Sequence, residues 1–171
     1  MCGIAGIVGD GADLQPAMAR MLHALRHRGP DGEGLLEGPG AVFGHRRLSI
    51  IDLEGGRQPL TNADQSIWLV CNGEIYNYKE LRADLERRGI TFQTHSDCEV
   101  IIGLYEVYGD RLLEHLRGMF AFGLWDARRR RFTLILAITF SRTPLAITFA
   151  AVQILLPPDL LRVGLGLGLI L

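Results

Sequence analysis

Met1-Cys2-Gly3-Ile4-Ala5-Gly6-Ile7-Val8 opens the chain, and its reading decides the fold. Ile4 to Val8 is an apolar, β-branched run of the kind that forms a buried strand. In front of it stands a cysteine, one residue behind the initiator methionine. Removal of Met1 would leave a thiol and a free α-amino group on one residue. An α-amino group has a pKa of about 7.7–8.0 and can take up a proton near neutral pH. Such a residue supplies nucleophile and base together, the amine-assisted form of nucleophilic catalysis. On position alone, a small buried cysteine that starts a strand is an equal alternative.

Composition sets the outer bounds. A chain of 171 residues fits one domain with a real core. A net charge of −1 gives no reason to expect nucleic acid or an anionic membrane as partner. The three cysteines, Cys2, Cys71 and Cys98, form no CxxC pair. They argue against a disulfide framework and against a cysteine-rich zinc site, and they fit a reducing, cytoplasmic setting. No basic segment followed by an apolar stretch marks a signal peptide. Of 18 basic and 19 acidic side chains, only Arg142, Asp159 and Arg162 lie beyond residue 137.

Working outward from the first strand, Leu14 to Leu25 has helical spacing and is stopped by Gly29-Pro30-Asp31-Gly32. Residues 41–53 predict one or two strands around a polar His45-Arg46-Arg47 interruption. Ile67 to Cys71 reads as a strand ended by Asn72-Gly73. Asn77 with Glu80, and Ser96 with Glu99, resemble capping boxes opening helices that end at Gly89 and Gly109. Met119 to Trp125 alternates as a strand, and Phe132 to Ala137 returns as its hairpin partner. Strands near both ends with helices between them predict sheets covered by helices.

Four polar sites interrupt this pattern: Cys2, Arg47, Asn72-Gly73-Glu74 and Asp97. Each has a plain structural explanation. Arg47 could reach solvent from an edge strand. Asn72-Gly73 is a common hairpin turn, although a helix follows it. Asp97 could complement a helix dipole.

Taken together, MCGIAGI (1–7), RHRGPDG (26–32), HRRLSIIDL (45–53), QPL (58–60), NGEIYNY (72–78), SDCEVI (96–101) and GMFAFGLWD (118–126) resemble one family. It is the glutaminase domain of glutamine-hydrolysing asparagine synthetase, a class II glutamine amidotransferase of the N-terminal-nucleophile hydrolase superfamily. Several motifs in order over residues 1–137 are far more specific than any one of them. The resemblance implies an α+β fold, the four-layer αββα sandwich of those hydrolases, truncated at its C-terminal end.

It also implies roles. Cys2 would attack the side-chain amide of glutamine, with its α-amino group as base. Asn72 through its amide and Gly73 through its N–H would form the oxyanion hole. Arg47 would bind the glutamine carboxylate through a bidentate fork, and Asp97 and Glu74 its ammonium. Backbone groups of Leu48, Ser49, Ile50 and Ile51 would line the pocket. No cofactor is expected in this chain. ATP and Mg, with aspartate, would belong to a synthetase domain or subunit that is absent here.

Other signals are weaker. His23 and His27 lie four apart without a third ligand, so no metal site is expected. Arg128 to Arg131 reads as a solvated hairpin tip, and Gly164, Gly166 and Gly168 lack the context of a nucleotide fingerprint. The resemblance stops at Ala137. Residues 138–171 form an apolar tail unlike the family, which a reading-frame shift near Ala137 would produce and which would leave sheet edges unpaired. As a membrane segment the tail is disfavoured. Its longest charge-free stretch, Thr143 to Pro158, contains Pro144, Pro157 and Pro158, and a span needs about 20 apolar residues. Three functional readings stay open: ammonia supply to an asparagine synthetase, a catalytically inert fragment, and an amidotransferase feeding another acceptor.

Overall fold

The computed structural model describes residues 2–9, 11, 13–49, 56–139, 147–155 and 167–170, with residues 136–139 and the last two runs described by backbone only. In chain order the elements are β1 (Gly3–Val8), α1 (Leu14–Ala24), β2 (Gly32–Gly38), β3 (Ala41–Arg47), β4 (Leu60–Thr61) and β5 (Ile67–Ile75). They continue with α2 (Tyr78–Arg87), α3 (Val100–Tyr108), β6 (Gly118–Asp126), β7 (Arg131–Thr139), β8 (Ile147–Leu155) and β9 (Leu167–Ile170). Two antiparallel sheets result, ordered β2-β3-β1-β9 and β4-β5-β6-β7-β8.

Alternation along the strands explains how they stack, because successive side chains leave opposite faces. In the first sheet, Ala5, Ile7 and Val42 face Met18 and Leu22 of α1. The intervening Ile4, Val8, Ala41 and Phe43 face the second sheet, meeting Trp68, Val70, Trp125 and Phe132. The other side of that sheet turns Leu69, Phe122, Leu124 and Ile135 toward Leu85 of α2 and Ile101 and Leu104 of α3. Three apolar clusters thus correspond to the three interfaces of an αββα sandwich. In the middle layer Phe43 is fully buried and meets Trp68 and Phe132 edge-on, with centroids at 6.2 and 5.9 Å. Burying such a side chain contributes about 1.5–3 kcal/mol. Gly44 leaves the room in which Met18 and Leu22 of α1 approach β3 closely.

The structure corrects several sequence expectations. Residues 41–47 are a single strand that includes His45-Arg46-Arg47; residues 50–53 of the expected segment lie outside the described residues. Asn72-Gly73 does not end β5, which runs on to Ile75 in register with β6. Strand β2 was not foreseen, because GEGLLEG carries little apolar alternation and sits at a sheet edge with Leu35 half exposed.

Asn77 makes no side-chain cap on α2. Its amide instead reaches the chain ahead of β6, donating to the His115 carbonyl (2.9 Å) and accepting from the Arg117 N–H (3.0 Å). Ser96 does cap, accepting from Cys98 N (3.3 Å), but it opens a 3-10 turn, Asp97–Glu99, before α3 begins. Glu99 does not complete the box. Its carboxylate takes the N–H groups of Gln93 (2.7 Å) and Thr94 (2.8 Å) and fixes the loop that leads to Asp97.

The edges expected to be unpaired are covered: β8 pairs with β7 and β9 with β1. Among the described residues no helix is long and apolar enough to cross a membrane.

Candidate active site

The polar positions continue the parity of the middle layer. Cys2 falls on the face of Ile4 and Val8, His45 and Arg47 on that of Ala41 and Phe43, and Asn72 on that of Trp68 and Val70. At one end of the inter-sheet layer, apolar side chains therefore give way to polar ones. A cavity of about 430 Å³ opens there, lined by Cys2, Arg47, Leu48, Asn72, Gly73, Glu74 and Asp97. That volume suits a small molecule. Of the other residues expected at the site, Ser49 stands just outside this wall, and Ile50 and Ile51 lie outside the described residues.

Cys2 is half-buried, and the main chain of Leu48 meets its sulfur from two sides. The Leu48 N–H donates to Sγ at 3.3 Å, and Sγ donates to the Leu48 carbonyl at 3.5 Å. These two contacts hold the sulfur against the Leu48 peptide at the mouth of the cavity. Leu48 is held by a platform from the RHRGPDG motif. Gly29 lies so close to the Arg46–Arg47 peptide that a Cβ would overlap it. The Asp31 N–H donates to the Arg47 carbonyl (3.0 Å), and the Asp31 carboxylate accepts the Ser49 N–H (2.8 Å). Arg47, at the end of β3, is buried.

Asn72, Gly73 and Asp97 come from the second sheet and its covering turn. In an antiparallel strand, alternate residues turn both main-chain groups to the same edge. At Cys71 that edge is taken by Gln58, whose side-chain oxygen accepts the Cys71 N–H (2.6 Å) and whose amide donates to the Cys71 carbonyl (3.0 Å). At Ile75 it is taken by the buried Asp97 carboxylate, which accepts the Ile75 N–H at 2.8 Å. Gly73 falls between them on the same edge and on the cavity wall. Its φ is +144°, and a Cβ there would overlap the Met119 carbonyl and Phe120 Cα, so only glycine fits. Glu74 is exposed at the rim.

His45 also lines the cavity and is 1% exposed. Its ring is hydrogen-bonded to the main chain of Cys71, while Nε2 is buried with no partner among the described residues. Burial, aided by the nearby Arg47 charge, pushes its pKa down to about 4 and keeps the ring neutral. Sequence reasoning had assigned no role to His45, Gln58 or Asp31. The signal available for them was their place inside HRRLSIIDL, QPL and RHRGPDG, motifs whose partners only the folded chain reveals.

The chain is similar to several known proteins. A profile described as a glutamine amidotransferase domain matches residues 1–154. Asparagine synthetase [glutamine-hydrolyzing] 1 of Bacillus subtilis is 45% identical over 131 residues, covering 74% of this chain and 21% of the relative. Asparagine synthetase B [glutamine-hydrolyzing] of Escherichia coli is 43% identical over 132 residues, covering 75% and 24%. The chain thus spans between a fifth and a quarter of the length of these relatives. Among solved structures, the glutamine phosphoribosylpyrophosphate amidotransferase of B. subtilis superposes with a TM-score of 0.63 at 25% identity. That match covers 79% of this chain and 37% of the other.

Proposed function

The chain belongs to the family of glutamine amidotransferase domains, and on that premise we propose that it hydrolyses glutamine to glutamate and ammonia through a thioester on Cys2. The observation that carries this reading is the company Cys2 keeps. One cavity holds a sulfur facing a backbone N–H, a buried arginine, a buried aspartate and a glycine on the strand edge that faces it.

Glutamine is a zwitterion with a neutral side-chain amide. In this proposal Arg47 takes the α-carboxylate as a bidentate fork, and Asp97, assisted by Glu74 at the rim, takes the α-ammonium. After Met1 is removed, the Cys2 α-amine accepts the thiol proton and sulfur bonds to the amide carbon. The carbonyl electrons move onto oxygen, which meets the Asn72 amide and the Gly73 N–H. The amine then returns its proton to nitrogen, the C–N bond breaks and ammonia leaves. Water adds to the thioester, the C–S bond breaks, and glutamate departs with the thiol restored.

The relatives' names support a destination for the ammonia: amidation of aspartate to asparagine. ATP and magnesium would act on a synthetase part with which this domain pairs. Three free cysteines fit a cytoplasmic setting.

Purified chain incubated with glutamine should release glutamate, and Cys2→Ala should release none. Asn72→Ala should lower kcat by about 10²–10³, the usual effect of removing one oxyanion donor. Folded wild-type protein that yields no glutamate would instead establish an inert fragment. Mass spectrometry should find Cys2 as the first residue of the active form.

A further inference from the structure

The proposed reaction needs a nucleophile from one sheet and oxyanion donors from the other at a fixed separation. Cys2 precedes β1 of the first sheet, and Asn72 and Gly73 belong to β5 of the second. Gln58 bridges the two sheets beside the site. Its main-chain carbonyl lies against Gly34 of β2, where a Cβ would overlap it. Its side chain grips both main-chain groups of Cys71, at 2.6 and 3.0 Å, one residue before Asn72.

Strand β4 pairs with β5 only through Leu60↔Leu69 and Thr61↔Trp68. The next place along that edge, opposite Cys71, is filled by the Gln58 side-chain amide in place of a strand. An amide has the same donor and acceptor as a peptide group, so it continues the ladder by one step and then stops. The edge beyond it, at Gly73, is left facing the cavity. Gln58 is itself buried, where an unmade hydrogen bond is costly.

We propose that Gln58 is a positioning residue for the oxyanion hole: it sets where Asn72 and Gly73 stand relative to Cys2 and closes the β4 edge before Gly73. The proposal rests on the glutaminase reading above. It differs from a purely structural role in a specific way. Both hydrogen bonds of the Gln58 side chain go to Cys71, one residue before Asn72, so their loss should fall on transition-state stabilisation and much less on ground-state binding of glutamine.

The test uses the full chain with Gln58→Met, which keeps side-chain length and removes both bonds, and Gln58→Ala as a second variant. Both should lower kcat for glutamine at least tenfold with KM changed less than about threefold. Combined with Asn72→Ala, Gln58→Met should cost little more than Asn72→Ala alone, because both act on one hole. Hydrogen exchange should also accelerate at the amides of residues 71 and 72. A rise in KM with kcat unchanged, or fully multiplicative effects in the double variant, would overturn the assignment. If wild type proves inactive, the glutaminase reading falls separately. The exchange measurement then decides, and unchanged protection at residues 71 and 72 in Gln58→Met rejects the positioning role.

Discussion

The Asp97 carboxylate accepts the main-chain N–H of Ile75 at 2.8 Å, linking a 3-10 turn to the end of a strand 22 residues earlier. One oxygen is thereby committed to the fold. The same carboxylate meets the Cys98 side chain, and Asp97 also lines the cavity. The two duties are separable. Asp97→Asn keeps an acceptor for Ile75 but loses the charge, so it should raise KM for glutamine at least tenfold with little change in melting temperature. Asp97→Ala strands a buried N–H and should cost about 1–3 kcal/mol of stability as well. Paired kinetics and thermal melts check both.

Gly73→Ala should be far more damaging than a methyl group ordinarily is. The φ of +144° and the adjacent Met119 carbonyl leave no place for a Cβ. A loss of about 2 kcal/mol or more in urea unfolding is expected, accompanied by loss of activity.

Selective alkylation should separate the three cysteines. Cys71 and Cys98 are 1% and 3% exposed, and contact with Cys71 together with burial pushes the Cys98 thiol well up. Iodoacetamide at neutral pH should therefore label Cys2 first, since the thiolate is the reactive form, and glutamine should slow that labelling. Peptide mass spectrometry reads the sites. Labelling of Cys98 before Cys2 in folded protein would contradict the geometry.

His45 predicts a pH dependence of stability. Its folded pKa, near 4, lies below the ordinary histidine value of 6.5. Between those values the unfolded chain binds more protons, so unfolding becomes easier as pH falls. The stability is fully present above pH 6.5 and drains away toward pH 4. By 1.36 kcal/mol per unit the loss is about 3 kcal/mol. Urea melts from pH 7.5 to 4.5 should show this slope, and His45→Gln should flatten it.

Asn77 offers a clean choice between two roles. As a helix cap it would be replaceable by serine. As the tether it is, holding His115 and Arg117, it is not, because serine is too short to reach them. Asn77→Ser should lose about as much stability as Asn77→Ala, measured by thermal melts.

Much of the fold was legible because it depends on local periodicity. Leu14 to Leu25, Met119 to Trp125 and Phe132 onward each declare their type through side-chain spacing, and the structure keeps them. Failures came where a neighbour remote in sequence decided the matter. Asn72-Gly73 looks like a turn, yet pairing with Ala121 and Phe120 holds it in a strand. Asn77 looks like a cap, yet a loop 38 residues onward claims its amide.

The sequence by itself determined which residue types are present and their alternation along each strand, and hence which side chains of one strand share a face. Only the tertiary structure decided that Leu48 faces the sulfur, that Gln58 completes an edge beside Cys71, and that Asp97 shares itself with Ile75. Periodicity is set by each residue's own backbone and immediate neighbours. A hydrogen bond between groups 13 to 46 positions apart leaves no such local mark, because it exists only once the layers have closed.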